Sequence, residues 1–257
     1  MAFSPDYRTY PGASRATAAS AVMDAGLRAY MLRVYNWMAS GLLLTGIVAW
    51  VISHTSAINA FYPVVMGPYG PHRAASALAL AAMFAPLGFV LVLSFGVNRL
   101  STTTAQTLFW LFCATMGASL TNIFLIYTGT SIAQTFFITA GTFAAMSIWG
   151  YTTRTDLTRW GSFLMMGLFG VIIAMVVNMF LHSPGLQFVV SIVGVLVFVG
   201  LIAYDTQRIK VTYLQFAYAD GPDQAAKRSV YDALQLYLNF INLFMFLLQF
   251  MGNRTNS

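Results

Sequence analysis

Seven long apolar runs dominate this chain and limit what it can fold into. Each run is close to the roughly 20 residues that an α-helix needs to cross a bilayer. Some connections between them are very short, such as IYTGTS after the third run and LHSPG after the fifth. The pattern predicts an all-α, polytopic membrane protein with seven transmembrane helices. The runs cover residues 34–53, 74–97, 104–127, 132–151, 160–181, 186–204 and 231–251.

The scarcity of charge excludes a soluble globular protein. Charged residues make up 8% of the 257 residues and hydrophobic residues 58%, whereas soluble domains average about 25% charged residues. The lipid bilayer is therefore the first expected partner. The net charge of +6 does not indicate nucleic-acid binding, because the basic residues are scattered along an apolar chain and form no basic face.

The distribution of basic residues predicts how the helices are oriented. If the N-terminus is cytosolic, eleven basic residues fall on the inside and two, Arg73 and Arg254, fall on the outside. This excess follows the positive-inside rule and supports an odd number of spans, with the C-terminus outside. The eleven inside residues are Arg8, Arg15, Arg28, Arg33, Arg99, Arg154, Arg159, Arg208, Lys210, Lys227 and Arg228.

Composition divides the chain into three regions. Residues 1–29 form a polar, Ala- and Ser-rich stretch, which we expect to be a disordered cytosolic tail. Residues 30–252 form one transmembrane domain, and residues 253–257 form a short C-terminal tail.

A polar stripe runs along the seventh span. At about 100° per residue, its members fall within an arc of about 100° on the helix. Such a stripe is typical of a helix that lines a hydrated path, and equally of a central helix whose amides bond to their neighbours. Both interpretations place the seventh helix among the others. The members of the stripe are Asp232, Gln235, Asn239, Asn242 and Gln249.

Asp205 is the second notable polar residue. All seven acidic residues of the chain are Asp, and Asp205 ends the sixth run in the sequence LIAYDTQRIK. Arg208 follows one helical turn later, so an ordinary surface pair worth a few tenths of a kcal/mol would explain Asp205. An ionisable residue at the edge of a span is also a candidate functional residue.

Enzymatic and metal sites find little support in the sequence. The single Cys113 excludes an internal disulfide and a multi-cysteine metal site. None of the three histidines lies in the middle of a span, as an intramembrane serine protease would need. An intramembrane aspartyl protease would need a second aspartate in a GxGD motif, which this chain lacks. We therefore expect no catalytic activity and no bound cofactor.

The order of these features resembles a known family. AYDTQRIK closes the sixth run, LQLYLNFINLFMFLLQF forms most of the seventh, and APLGFVLVLSFGVNRLS and FITAGTFAAMSIWGYTTRTDLTRWG precede them. Together these motifs are similar to the Bax inhibitor family of membrane proteins, in its bacterial form, over residues 30–252. The resemblance implies a multi-pass protein of the bacterial inner (plasma) membrane, with a central seventh helix wrapped by the other six.

The resemblance also implies a function. Family members act as calcium-permeable leak channels or pH-sensitive regulators of calcium, and two aspartates, on the sixth and seventh helices, form their pH sensor. Asp205 matches the first aspartate, where calcium would bind transiently. The second position holds Asn239, so this chain lacks the repulsion between two carboxylates, and we expect its pH response to be weakened or shifted to acid. Asn242 and Gln235 would supply further oxygen ligands along the ion pathway.

Two other residues are possible partners of Asp205. Asp232 lies about 10 Å from Asn239 along the helix axis, so it could replace the second acid only through its own contact with Asp205. Arg99, at the inner end of the second run, could pair with Asp205 as a latch, although its charge also serves to set topology.

A function of a different class stays open at this point. A non-conducting membrane stress protein could modulate a membrane protease or another membrane-protein partner through helix contacts. The two hypotheses differ in whether the purified protein alone conducts calcium or another cation.

Overall fold

The fold is a bundle of long helices, as the sequence predicts. The computed structural model describes residues 11–67, 70–97, 99–216 and 221–255. Seven helical segments are long and apolar enough to cross a membrane, which confirms the all-α, polytopic fold with seven spans. The helices of the described part are α1 (Pro11–His54), α2 (Ile58–Phe61), α3 (Ala77–Gly96), α4 (Thr102–Leu120), α5 (Ile123–Ile126), α6 (Gly129–Thr152), α7 (Thr158–Leu181), α8 (Pro184–Phe216) and α9 (Pro222–Met251).

Helices α8 and α9 extend well beyond their predicted spans. Helix α8 continues past residue 204 to Phe216, and α9 begins at Pro222 rather than at residue 231. Pro222 takes the first position of α9, where its missing N–H has no intrahelical partner to lose. Polar residues near these helix ends find partners on neighbouring helices, so hydropathy alone underestimates the helix lengths.

The predicted disordered tail over residues 1–29 also needs correction. Helix α1 begins at Pro11, and the side chain of Leu27 is only 3% exposed. Residues 1–10 lie outside the described residues. A search for apolar runs misses this stretch because it is polar, although its many Ala residues favour a helix.

Helix α9 is the centre of the bundle. It packs against α1, α4, α6 and α8, while α3 packs on α4 and α7 packs on α8 from outside. The resemblance implied enclosure by all six other spans. In the structure four of them supply the main direct contacts, and α3 and α7 form a second layer that faces lipid.

The two ends of the bundle differ in charge. Near one end Lys210 of α8 donates to the carbonyl oxygen of Tyr151 in α6 at 2.8 Å, which places the ends of these helices together. We call this the basic end, and the opposite end carries Arg73 and Arg254. Basic residues at the basic end include Arg28, Arg33, Arg99, Arg154, Arg159, Arg208, Lys210, Lys227 and Arg228.

Short non-helical segments lie at the opposite end. Strands β1 (Val64–Gly67) and β2 (Gly70–Arg73) form an antiparallel hairpin. The predicted C-terminal tail packs here too, because the Thr128 N–H donates to the carbonyl oxygen of Asn253 at 3.1 Å and the Thr255 N–H to that of Ile126 at 2.9 Å.

Glycine permits α8 to approach its neighbours closely. A Cβ atom on Gly150 of α6 would collide with the carbonyl oxygen of Ala203 and lie 2.9 Å from its Cα. A Cβ atom on Gly161 of α7 would lie 2.6 Å from the ring of Tyr204. Small residues at crossings allow this backbone contact in membrane bundles, and here they position the segment that carries Asp205.

We therefore expect Gly150→Ala to destabilise the protein. The added methyl group would force α6 away from α8, and overpacking of this kind costs about 1–3 kcal/mol. The melting temperature in detergent should fall by about 5 °C. Gly141→Ala on the same helix is the control, because a Cβ atom there meets nothing within 4 Å. Equal melting temperatures for the two variants would contradict the close-packing argument.

Candidate functional site

Three consecutive polar residues of α8, Asp205, Thr206 and Gln207, point to different neighbours, because successive side chains on a helix are about 100° apart. The Asp205 carboxylate faces α9, where Asn239 donates to it. The Thr206 hydroxyl is hydrogen-bonded to Ser147 of α6 at 2.9 Å. Gln207 accepts from the Leu157 N–H at 2.7 Å, just before α7. This short segment therefore joins three parts of the bundle at one level.

Asp205 is buried and fully paired. Its side chain is 2% exposed, and its Oδ2 atom accepts from Asn239 Nδ2 at 2.7 Å and from Gln235 Nε2 at 3.3 Å. Its Oδ1 atom lies 3.0 Å from the guanidinium of Arg208. A buried carboxylate needs such donors to compensate for lost hydration. The structure thus brings together Asp205, Asn239 and Gln235 from the predicted site.

The cation paired with Asp205 is Arg208. The Arg208 side chain is 45% exposed, so it covers the carboxylate on the side that opens to the basic end. Arg99, the predicted latch, lies in the turn after α3, where its backbone N–H donates to the carbonyl oxygen of Gly96 at 2.9 Å. Within the described residues, the ion pair that holds Asp205 does not involve Arg99.

Asp232 makes a separate contact. Its Oδ2 atom accepts from the hydroxyl of Tyr30 at 2.6 Å, which links α9 to α1. Asp232 and Asp205 are near enough for their charges to interact, but among the described residues their hydrogen bonds go to different partners. The direct contact through which Asp232 could replace the missing second acid is not made in this structure.

The rest of the polar stripe is packed rather than open. Asn242 donates to the carbonyl oxygen of Leu238 in its own helix at 2.8 Å. Near the opposite end Gln249 accepts from Gln187 Nε2 at 2.6 Å. The stripe therefore forms a hydrogen-bonded seam, mostly between α9 and α8.

An aromatic contact interrupts the seam. The rings of Phe198 and Phe246 stack with centroids 5.8 Å apart, between the levels of Asn242 and Gln249. A Cβ atom on Gly194 would lie 2.8 Å from the Phe246 ring, so the ring fills the space left by that glycine. This apolar layer separates the polar groups of the two ends.

Two hydrogen-bonded groups were missed by the sequence reasoning. Tyr35 of α1 is bonded to Ser147 at 2.8 Å, and through it to Thr206. In the middle of the bundle the hydroxyls of Thr45 and Tyr237 are 2.7 Å apart. Hydroxyl residues occur throughout the spans, so the sequence gives no signal that singles these out. Only the packing of α1, α6 and α9 does so.

The chemistry at Asp205 suits a hard cation better than a transition metal. The described residues contain no group of three or more His, Cys, Asp or Glu side chains that could hold a metal ion. The available ligands are the Asp205 carboxylate and the amide oxygens of Asn239 and Gln235. Oxygen ligands of this type are preferred by calcium, and three of them provide fewer than the six to eight that a tight site needs.

Comparison with known proteins identifies a family over most of the chain. The family model described as "Inhibitor of apoptosis-promoting Bax1" matches residues 27–256. The chain belongs to the Bax inhibitor family. This match confirms the resemblance seen in the sequence motifs.

Several Bax inhibitor family relatives align over nearly their whole length. A protein of Rickettsia prowazekii is 46% identical over 93% of this chain and 95% of its own length. A protein of Caulobacter vibrioides is 46% identical over 95% and 96%. The inner membrane protein YbhL of Escherichia coli is 44% identical over 90% and 94%.

The connection between α6 and α7 depends on Gln207 and Asp156. Besides accepting from Leu157, Gln207 donates to the carbonyl oxygen of Thr155 at 2.8 Å. Asp156 is exposed, and its Oδ1 atom accepts from the Thr158 N–H at the start of α7. The hydrogen bonds from Thr158, together with the nearby charge of Arg159, hold the pKa of Asp156 below its ordinary value.

Replacing Gln207 should therefore loosen this connection. Gln207→Leu leaves the Leu157 N–H and the Thr155 carbonyl without their partner, and each lost hydrogen bond costs about 1 kcal/mol. We expect trypsin to cleave after Arg154 and Arg159 about tenfold faster, as measured by limited proteolysis in detergent. Gln215→Leu, an exposed position of α8, is the control. A rate equal to that of the control would show that the Gln207 contacts do not hold the connection.

Proposed function

We propose that this Bax inhibitor family protein is a calcium-permeable leak of the bacterial inner membrane, and that the structure is its closed state. The observation that supports the proposal is the buried Asp205 carboxylate against the central helix α9. Keeping a charged side chain inside a membrane protein is costly, and such residues commonly mark ion paths. With the N-terminus in the cytosol, Asp205 would lie near the cytosolic end of that path.

Asp205 would attract the cation, and its neighbours would complete a weak site. When Arg208 moves away, the Oδ1 atom of the carboxylate becomes available to an ion from the basic end. The Asn239 and Gln235 amides can turn their oxygens towards the same ion. A weak site of this kind suits permeation, since an ion must leave as readily as it enters.

Two obstacles keep the path closed. Arg208 forms an ion pair with the Asp205 carboxylate at 3.0 Å, which keeps a cation from binding there. Further along the seam, the stacked rings of Phe198 and Phe246 form an apolar layer, and an apolar constriction prevents ion passage by excluding water. Opening would require α8 and α9 to separate at both levels.

The pH response should be weak. Asn239 gives Asp205 a hydrogen-bond donor where a second carboxylate would repel it, so the steep transition of a two-carboxylate pair loses its source. Among the described residues, the charged groups that interact with Asp205 are Arg208 and, on α9, Asp232, which in turn lies near Arg228. Asp232 is tied to Tyr30 of α1. Asp205 therefore acts mainly as a cation-binding group here.

The packed seam also favours a second function, that of a non-conducting protein that acts through helix contacts. Its stripe residues are hydrogen-bonded within the bundle, and α3 and α7 expose apolar faces that a membrane-protein partner could contact. This function predicts that the purified protein conducts no ions under any condition.

Calcium flux into liposomes that contain only the purified protein tests the proposal. Wild type should conduct, and Asp205→Asn should reduce the flux about tenfold, the amount expected for one charge-assisted contact. Asp223→Asn, an exposed acid at the same end, is the control and should conduct like wild type. Absence of flux in wild type at every pH would overturn the leak function and favour the non-conducting one.

The same assay tests the role of Asn239. Wild-type flux should change only gradually from about pH 5 to about pH 8, whereas Asn239→Asp should create a steep transition by adding a second carboxylate at 2.7 Å from the first. A steep transition near neutral pH in the wild type would contradict the assignment. Equal pH profiles for the wild type and the Asn239→Asp variant would also contradict the role assigned to Asn239.

Phe246→Ala should raise the flux severalfold, because it opens the apolar layer between the two polar parts of the seam. Phe250→Ala, at the more exposed C-terminal end of the same helix, is the matched control. Since a buried Phe→Ala change costs about 3–5 kcal/mol, Phe246→Leu with its smaller loss provides a folded alternative. A flux unchanged in correctly folded variants would show that the rings do not close the path.

A further inference from the structure

A lateral groove between α1 and α6 has no role in the proposed leak. Both helices pack against α9, but they are not among the helix pairs that pack extensively against each other. The resulting space has two connected parts, of about 510 and 760 Å³, which share Met38, Ala39 and Phe143. We call it the α1–α6 groove.

The groove opens towards lipid. Its walls carry apolar side chains that are strongly exposed, among them Leu32 (54%), Leu43 (65%) and Ile148 (64%). At its base the rings of Phe143 and Phe240 meet with centroids 5.7 Å apart, so the central helix forms part of the base. Both walls lie on membrane-spanning segments.

Positive charge is found where the groove reaches the basic end. Arg28 of α1 and Tyr151 of α6 line this part. The Lys210 ammonium donates to the Tyr151 carbonyl oxygen at 2.8 Å and lies 5.1 Å from the centre of its ring. Arg28 is therefore the cation that lines the groove at this end, Lys210 lies beside its lining residue Tyr151, and the residues that line the groove include no acid.

The dimensions match one leaflet of a bilayer. From Arg28 to Ala39 the wall of α1 is about 16 Å long at 1.5 Å per residue. This length is close to half of the hydrocarbon thickness of about 30 Å. An acyl chain that starts at the basic end would therefore end near the bilayer midplane, where the two parts of the groove join.

We propose that the α1–α6 groove binds an anionic phospholipid, with its acyl chain between α1 and α6 and its phosphate at Arg28. Basic pockets between transmembrane helices hold lipid phosphates in this way. The lipid would contact Tyr35 and Ser147, the hydroxyl pair that leads to Thr206 beside Asp205.

Native mass spectrometry of the purified protein with added phosphatidylglycerol or phosphatidylcholine of identical acyl chains tests this assignment. Wild type should retain one phosphatidylglycerol molecule and bind it more tightly than phosphatidylcholine. Arg28→Gln should weaken phosphatidylglycerol binding about fivefold, the effect expected for one basic residue at a membrane surface. Arg254→Gln at the opposite end is the control. Equal binding of the two lipids by the wild type would overturn the headgroup assignment.

Variants that fill the groove test the position of the acyl chain. Ala144→Phe projects a ring into the groove and should abolish retention of the lipid, whereas Ala145→Phe, exposed on the same helix but outside the groove, should not. Ala39→Leu narrows the groove from α1 and serves as a milder variant if Ala144→Phe fails to fold. Equal retention by the folded groove and control variants would overturn the proposal. A change of oligomeric state without loss of lipid would assign the groove to a second copy instead.

Discussion

The structure depends on how a carboxylate is kept inside a membrane bundle. Asp205 is 2% exposed, and its two oxygens receive donors from Arg208, Asn239 and Gln235. Removing a carboxylate from water without partners would cost far more than one helix contact can return. Helix α9 must therefore lie against α8 with its amides at this level, and the register between the two central helices follows from that requirement.

Close helix packing supports this arrangement from the other side of α8. Gly150 and Gly161 let α6 and α7 approach the residues next to Asp205. Thr206 and Gln207 then bond to α6 and to the connection before α7. Small residues and short polar side chains thus perform different tasks in one layer: the glycines set the distance between helices, and the hydrogen bonds set their rotation.

Function in this bundle depends on which neighbouring helices can separate from each other. The polar seam between α8 and α9 is interrupted by the stacked rings of Phe198 and Phe246, whereas the α1–α6 groove already opens to lipid. The hydroxyls of Tyr35, Ser147 and Thr206 connect the two regions. A lipid in the groove would contact that connection, so lipid binding and the position of α8 are physically linked.

The sequence by itself determined the fold class, the seven spans and the family, and it singled out Asp205 and Asn239, which the structure places in contact. Hydropathy and the one-sided stripe on α9 depend on local periodicity, which any helix must obey. The sequence did not determine the ion-pair partner of Asp205, for which Arg99 was a candidate, nor the extension of α1 to Pro11. Whether a stripe is a hydrated path or a packed seam, and which helices leave a groove between them, depends on contacts between residues far apart in the chain. Only the tertiary structure decides those.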